Sequence, residues 1–116
     1  MTREGEREIV KVEKPSGGEG YILKEALLGA EELGAHCKMF SKVTLPPHSE
    51  LGHHEHHGET EVYHILSGEG IYQDNNKTYP VQAGMTTFCE DGSGHAVSCA
   101  GEEPLVFLAM IQKKVE

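Results

Sequence analysis

Four of the eight histidines fall within five residues, in the run His53-His54-Glu55-His56-His57. In an extended backbone, residues two apart point to the same face. His54 and His56 then share one face, and His53, Glu55 and His57 share the other. Glu61 opens the next extended run, with Tyr63 and Ile65 on its own face and Val62, His64 and Leu66 on the opposite one. His95 opens a later strand, just after the tight turn Asp91-Gly92-Ser93-Gly94. Two imidazoles from one strand, a carboxylate from a second and an imidazole from a third can meet at one point inside a small barrel. Imidazole suits zinc, iron, nickel and copper, and a carboxylate extends the set to manganese. Four protein ligands leave one or two positions free on a five- or six-coordinate ion, where substrate, water or dioxygen can bind.

The elements that must carry these residues are short strands. Cys37, Met39, Val43 and Leu45 alternate with His36, Lys38, Lys42 and Thr44, the period of a strand with one buried face, and Pro46-Pro47 stops it. Further strands are expected at Glu61–Ser67, Ile71–Gln73, Thr78–Val81, Thr86–Cys89, His95–Cys99 and Leu105–Ile111. Asp74-Asn75-Asn76-Lys77 has the composition of a hairpin turn. An edge strand is read near Glu8–Val12, followed by the glycine-rich loop Pro15–Gly20. Tyr21–Leu28 fits a short helix or a strand, and its length and flanking glycines favour the strand. Nine or ten short strands separated by turn signals are the pattern of an all-β sandwich or barrel. Residues 1–20 are expected to lead into one barrel domain over residues 21–116.

The length of 116 residues suits one domain with its own core. A net charge of -9 argues against nucleic acid or an anionic membrane surface as a partner. Three cysteines without a C-x-x-C pair argue against a disulfide scaffold and for reduced thiols in the cytoplasm. The charged start Met1–Arg7 precedes no apolar stretch of signal-peptide type, and no run approaches the length of a membrane-spanning helix.

With these residues in hand, the sequence resembles a small single-domain cupin over residues 36 to 112. The family's first motif is G-x5-H-x-H-x3–4-E-x6-G, and His54, His56, Glu61 and Gly68 fit it from the first histidine onward. His48 stands where the motif has its opening glycine. The second motif is G-x5-P-x-G-x2-H-x3-N, and Gly84, Gly92 and His95 match it, with Glu90 in place of the proline and Cys99 in place of the asparagine. The replaced positions supply no metal ligand in the family, so they bear on turn shape rather than on the donor set. The resemblance implies an all-β jelly-roll barrel of two antiparallel sheets, commonly dimeric. It also implies one divalent transition metal per chain (Mn, Fe, Ni, Cu or Zn) held by His54, His56, Glu61 and His95.

Each residue also has a plainer reading. A histidine-rich run by itself is as well explained by a solvated loop; the spacing to Glu61 and the downstream His95 argue against that. His53 and His57 are read as surface residues, and His48 and Glu50 as loop residues that could support a ligand. Tyr63, on the ligand face, either fills the core or donates a hydrogen bond to a bound substrate. Tyr63 and Glu50 are the two candidate catalytic groups. Cys89 and Cys99 are read as buried small hydrophobes, with Cys99 on the His95 face and able to approach the site; Phe40, Phe88 and Phe107 are read as core.

Two functions follow. One is a metalloenzyme acting on a small carboxylate or enol-like substrate, as a dioxygenase, decarboxylase, isomerase or lyase. The other is a non-catalytic module that binds or senses a small molecule or metal. A homodimer is expected, built on the strand near Glu8–Val12 and the apolar strand Leu105–Ile111, because exposed strand edges invite pairing.

Overall fold

The computed structural model describes residues 1–114. Ten strands run along this stretch: β1 (Ile9–Glu13), β2 (Tyr21–Ala26), β3 (Cys37–Leu45), β4 (Glu50–Glu55), β5 (Glu59–Ser67), β6 (Glu69–Asp74), β7 (Lys77–Gln82), β8 (Thr86–Cys89), β9 (Gly94–Cys99) and β10 (Leu105–Lys113). A single helical turn, α1 (Ala30–Leu33), and a 3-10 turn at Pro15–Gly17 complete the chain. The strands form a six-stranded sheet, β1-β2-β3-β10-β5-β8, and a four-stranded sheet, β4-β9-β6-β7. All pairings are antiparallel. This is the jelly-roll barrel that the sequence predicts, and Tyr21–Ala26 is a strand.

Alternation builds the core. On β5, Tyr63 and Ile65 are buried while His64 and Leu66 face out. Across the inner face of the large sheet, Phe107 of β10 lies opposite Val43 of β3 and Ile65 of β5, and Ala109 lies opposite Tyr63. Val97 and Tyr72 close the core from the small sheet.

Turn chemistry sets the register. The β6–β7 hairpin turns through Asn75-Asn76, with Asn75 in the left-handed region at φ +55°, a conformation that asparagine tolerates. Gly68 alone joins β5 to β6 at φ +85°, and a Cβ there would run into the Pro104 carbonyl.

Two expectations change and one stands. β10 is not an edge: it is hydrogen-bonded to β3 on one side and β5 on the other, so it offers no free backbone to a partner. β1 is an edge, and its apolar Ile9, Val10 and Val12 are exposed. Phe88 is not core. It pairs with Val62 on the outer face of the large sheet and is 54% exposed, because the inward positions of β8 fall to Thr87 and Cys89.

Candidate metal centre

His54 and His95 are direct cross-strand partners on β4 and β9. The β4–β9 register shifts between Leu51 and His54, so β4 carries one extra residue just before the site. That bulge decides which histidines face inward. Leu51 lines the barrel interior, and unbroken alternation from it would bring in His53. The extra residue turns His54 and His56 inward instead and leaves His53, Glu55 and His57 exposed. The bulge is held by close packing: Gly52 lies against the backbone of Ser16 and Gly18, leaving no room for a Cβ.

Glu61 comes from β5, where it lies opposite Ile111 of β10 and Cys89 of β8. Its Oε1 is 2.9 Å from Nε2 of His56, 2.9 Å from Nε2 of His95 and 3.3 Å from Nε2 of His54. Nε2 of His95 is also 2.9 Å from Nε2 of His54 and 3.1 Å from Nε2 of His56. One ligand atom from each of the four residues thus lies within 4.8 Å of the other three. His95, Glu61 and His56 are buried, and His54 is half-buried.

The opposite edge of each ring is held from behind. His54 Nδ1–H donates to the Gly52 carbonyl at 2.9 Å, and His56 Nδ1–H donates to Glu59 Oε2 at 2.7 Å. His95 Nδ1 meets the Tyr72 hydroxyl at 2.8 Å. Glu59 in turn accepts from Lys38 Nζ at 3.1 Å. With Nδ1 carrying the proton, the neutral His54 and His56 rings present bare Nε2 lone pairs to the centre. The same orientation of His95 brings a third lone pair to the Glu61 carboxylate. Lone pairs packed this closely repel one another unless a cation lies between them.

Without a cation, protons on Nε2 take its place between the rings and the carboxylate. Burial pushes the Glu61 carboxyl up, but hydrogen bonds from His54 and His95 and the nearby rings outweigh it and bring it down to about 2. Burial likewise opposes the charged form of His54, yet its hydrogen bonds to Glu61 and Gly52 leave its pKa raised. For His95 burial prevails and the pKa is lowered, which favours the neutral ring. Burial raises the Tyr63 phenol well above its ordinary range and the Tyr72 phenol to about 12, so both keep their protons.

A cavity of about 160 Å³ opens onto the cluster. Its wall includes Tyr63, whose ring stacks on His95 at 4.8 Å between centroids and whose hydroxyl is 3.4 Å from His95 Nε2. Glu50 is exposed and does not line this cavity. Cys99 does not approach the site: it ends β9, at the far end from His95, with Sγ–H directed to the Glu103 carbonyl at 3.2 Å. It is half-buried, whereas Cys89 is fully buried. His64 faces out and is bonded to Thr86, and His57 pairs with Glu55 at the surface. A larger depression of about 750 Å³ by Ser67, Glu69, Gln82 and Glu103 contains none of the cluster residues.

Residues 41–111 match the family model described as Cupin domain. The chain belongs to the cupin family. It is 36% identical over 111 residues to the oxalate-binding protein of Thermotoga maritima, covering 96% of this chain and 92% of that protein. The crystal structure of a predicted oxalate decarboxylase from the same organism superposes with a TM-score of 0.94 at 35% identity, over 97% of this cupin and 98% of that chain. The Cnp3 cupin domain of Schizosaccharomyces pombe superposes with a TM-score of 0.73 at 11% identity, over 93% and 88% of the two chains. The last likeness is one of fold alone, so any functional reading of this cupin has to rest on its site.

Two supporting residues, Glu59 and Tyr72, were not among the sequence candidates. Glu59 was within reach: it lies two residues before Glu61 and so shares its face. Tyr72 carried no such signal, because only the β6–β9 pairing brings it to His95.

Proposed function

We propose that this cupin holds one divalent transition metal through His54, His56, Glu61 and His95, and uses it to bind a small carboxylate of the oxalate class. The observation that carries this reading is the convergence of three imidazole lone pairs and one ionised carboxylate with their outer edges already anchored. The spacing fits a shared ion. Ligands at about 2.1 Å from a metal lie about 3.0 Å apart at a right angle and about 3.4 Å apart in a tetrahedron. The contacts around Glu61 Oε1 and His95 Nε2 span 2.9 to 3.3 Å. A bound metal supplies Lewis acidity toward a carboxylate or enolate oxygen.

The chain's own residues then do the rest. Gly52, Glu59 and Tyr72 fix the rings, and the apolar wall limits water. The Tyr63 hydroxyl stands beside the cluster as a neutral donor to a substrate oxygen. The likeness to proteins described as oxalate-binding and as a predicted oxalate decarboxylase supports the substrate class and leads to decarboxylase or lyase chemistry.

One observation favours a second reading, in which the ligand is bound without turnover. Among the described residues, Glu61 is the one carboxylate on the cavity wall, and it is committed to the cluster. Decarboxylation needs a proton delivered to the carbon that loses carbon dioxide, and no carboxylic acid stands free there to deliver it. The reading also includes a cytoplasmic homodimer, supported by three unpaired cysteines and by the exposed apolar edge β1. A monomer by light scattering at micromolar concentration overturns the dimer.

Elemental analysis of untagged protein tests the centre. About one transition metal per chain is expected, absent from the double variant His54→Ala, His56→Ala; equal metal in both rejects the site. Incubating the loaded protein with oxalate separates the two readings: formate and carbon dioxide mark an enzyme, and binding without product marks a binding module.

A further inference from the structure

Lys24 is the one lysine or arginine on the wall of the cavity that reaches the cluster. It lies on the inner face of β2, opposite Val43, and is half-buried. Among the described residues the basic side chains in ion pairs with carboxylates are Arg3, Arg7, Lys11, Lys38 and Lys114, together with histidines. Lys24 makes no such pair. A half-buried lysine on an inward face with no carboxylate partner leaves its ammonium free for a ligand. Holding a metal does not explain it, since a second cation nearby weakens metal binding.

Charge and size together suggest what it faces. With a divalent ion at the cluster, Glu61 and Lys24 cancel and the cavity retains a surplus of two positive charges. The volume of about 160 Å³ is below that of a drug-sized pocket and suits a compact ligand of a few heavy atoms. Away from the cluster, the wall is apolar apart from Lys24 and the hydroxyls of Ser16 and Tyr63. A ligand that matches this charge and fits this space is a short dianion.

We propose that Lys24 is the specificity residue that reads the second carboxylate of a short dicarboxylate whose first carboxylate faces the cluster. This rests on the metal-centre reading of the same site. It adds that the protein selects for two negative charges and that β2, outside both cupin motifs, supplies the selection.

The test compares oxalate with oxamate, which has the same size but carries an amide in place of one carboxylate. Each is titrated by calorimetry into untagged protein with and without manganese(II), for the wild type, Lys24→Met and Lys24→Arg. We expect the wild type to prefer oxalate. Lys24→Met should weaken oxalate about tenfold or more while leaving oxamate nearly unchanged and manganese content equal, since charge-assisted hydrogen bonds are the strong ones. Lys24→Arg should restore most of the preference. An unchanged oxalate-to-oxamate ratio in Lys24→Met overturns the proposal and leaves the metal centre standing. An equal loss for both ligands also overturns it, because that marks a role in shape rather than charge. A preference that depends on Lys24 but not on manganese overturns the metal reading and, with it, the charge balance on which the proposal rests. Binding of neither anion to the wild type under any condition overturns both.

Discussion

Glu59 bonds His56 on one side and Lys38 on the other, so a single carboxylate fixes a ring and is itself fixed. Glu59→Gln keeps the shape but removes the charge that holds the Nδ1 proton. Metal affinity should fall about tenfold, the lower end for such supporting partners, in competition with a chromogenic chelator. Protons should compete with the metal at the same rings. In the metal-free protein the ionised Glu61 carboxyl has a lowered pKa, so its stabilising contribution is full above the ordinary carboxyl value and is lost as pH falls toward about 2. The His54 pKa is raised, so its contribution is full below the ordinary imidazole value and is lost as pH rises through the folded one. A metal needs His54 bare. Apparent metal affinity should therefore climb between about pH 5 and about pH 8, measured by equilibrium dialysis, and a flat profile would exclude His54 as a ligand. The four residues of the cluster were legible from type and spacing. Their shared face was legible too, since His54 and His56 are two apart, but the bulge before His54 that turns that face inward left no mark in the sequence.

Among the elements, β5 carries Glu61 together with Glu59 and Tyr63, and its end is fixed by Gly68. Gly68→Ala places a side chain at φ +85° and against the Pro104 carbonyl. The backbone strain alone costs about 1–3 kcal/mol, and chemical denaturation should show at least that loss. Strands with clean alternation, such as β3 and β5, could be read directly from their residues. Phe88 was misread because aromatic residues favour strands and cores alike, and only the β5–β8 pairing shows which face it takes. The covering turn Pro15–Gly17 was invisible for a different reason. Its place over the bulge depends on two close glycine contacts, at Gly18 and Gly52, between segments far apart in sequence.

At the scale of the whole molecule, the cluster ties the two sheets together, since His54, His56 and His95 belong to the small sheet and its flank and Glu61 to the large one. Removing the metal should loosen that tie. A ligand at a thousandfold excess over its dissociation constant stabilises a fold by about 4 kcal/mol, so chelation should lower Tm by several degrees, and the double variant His54→Ala, His56→Ala should show no such shift. The order of strands along the chain has one more effect, on biosynthesis. β10 lies in the middle of the large sheet, yet it is the last strand of the described chain to be made. While a ribosome is still adding residues, β3 and β5 have no common neighbour to zip onto. Every residue of the cluster has been polymerised by then, but the Glu61 position gains its Ile111 partner only at the end. A fragment stopped before Leu105 should therefore carry all four ligands and still retain no metal on gel filtration. Metal retained by that fragment would instead show that the centre forms without the closed large sheet.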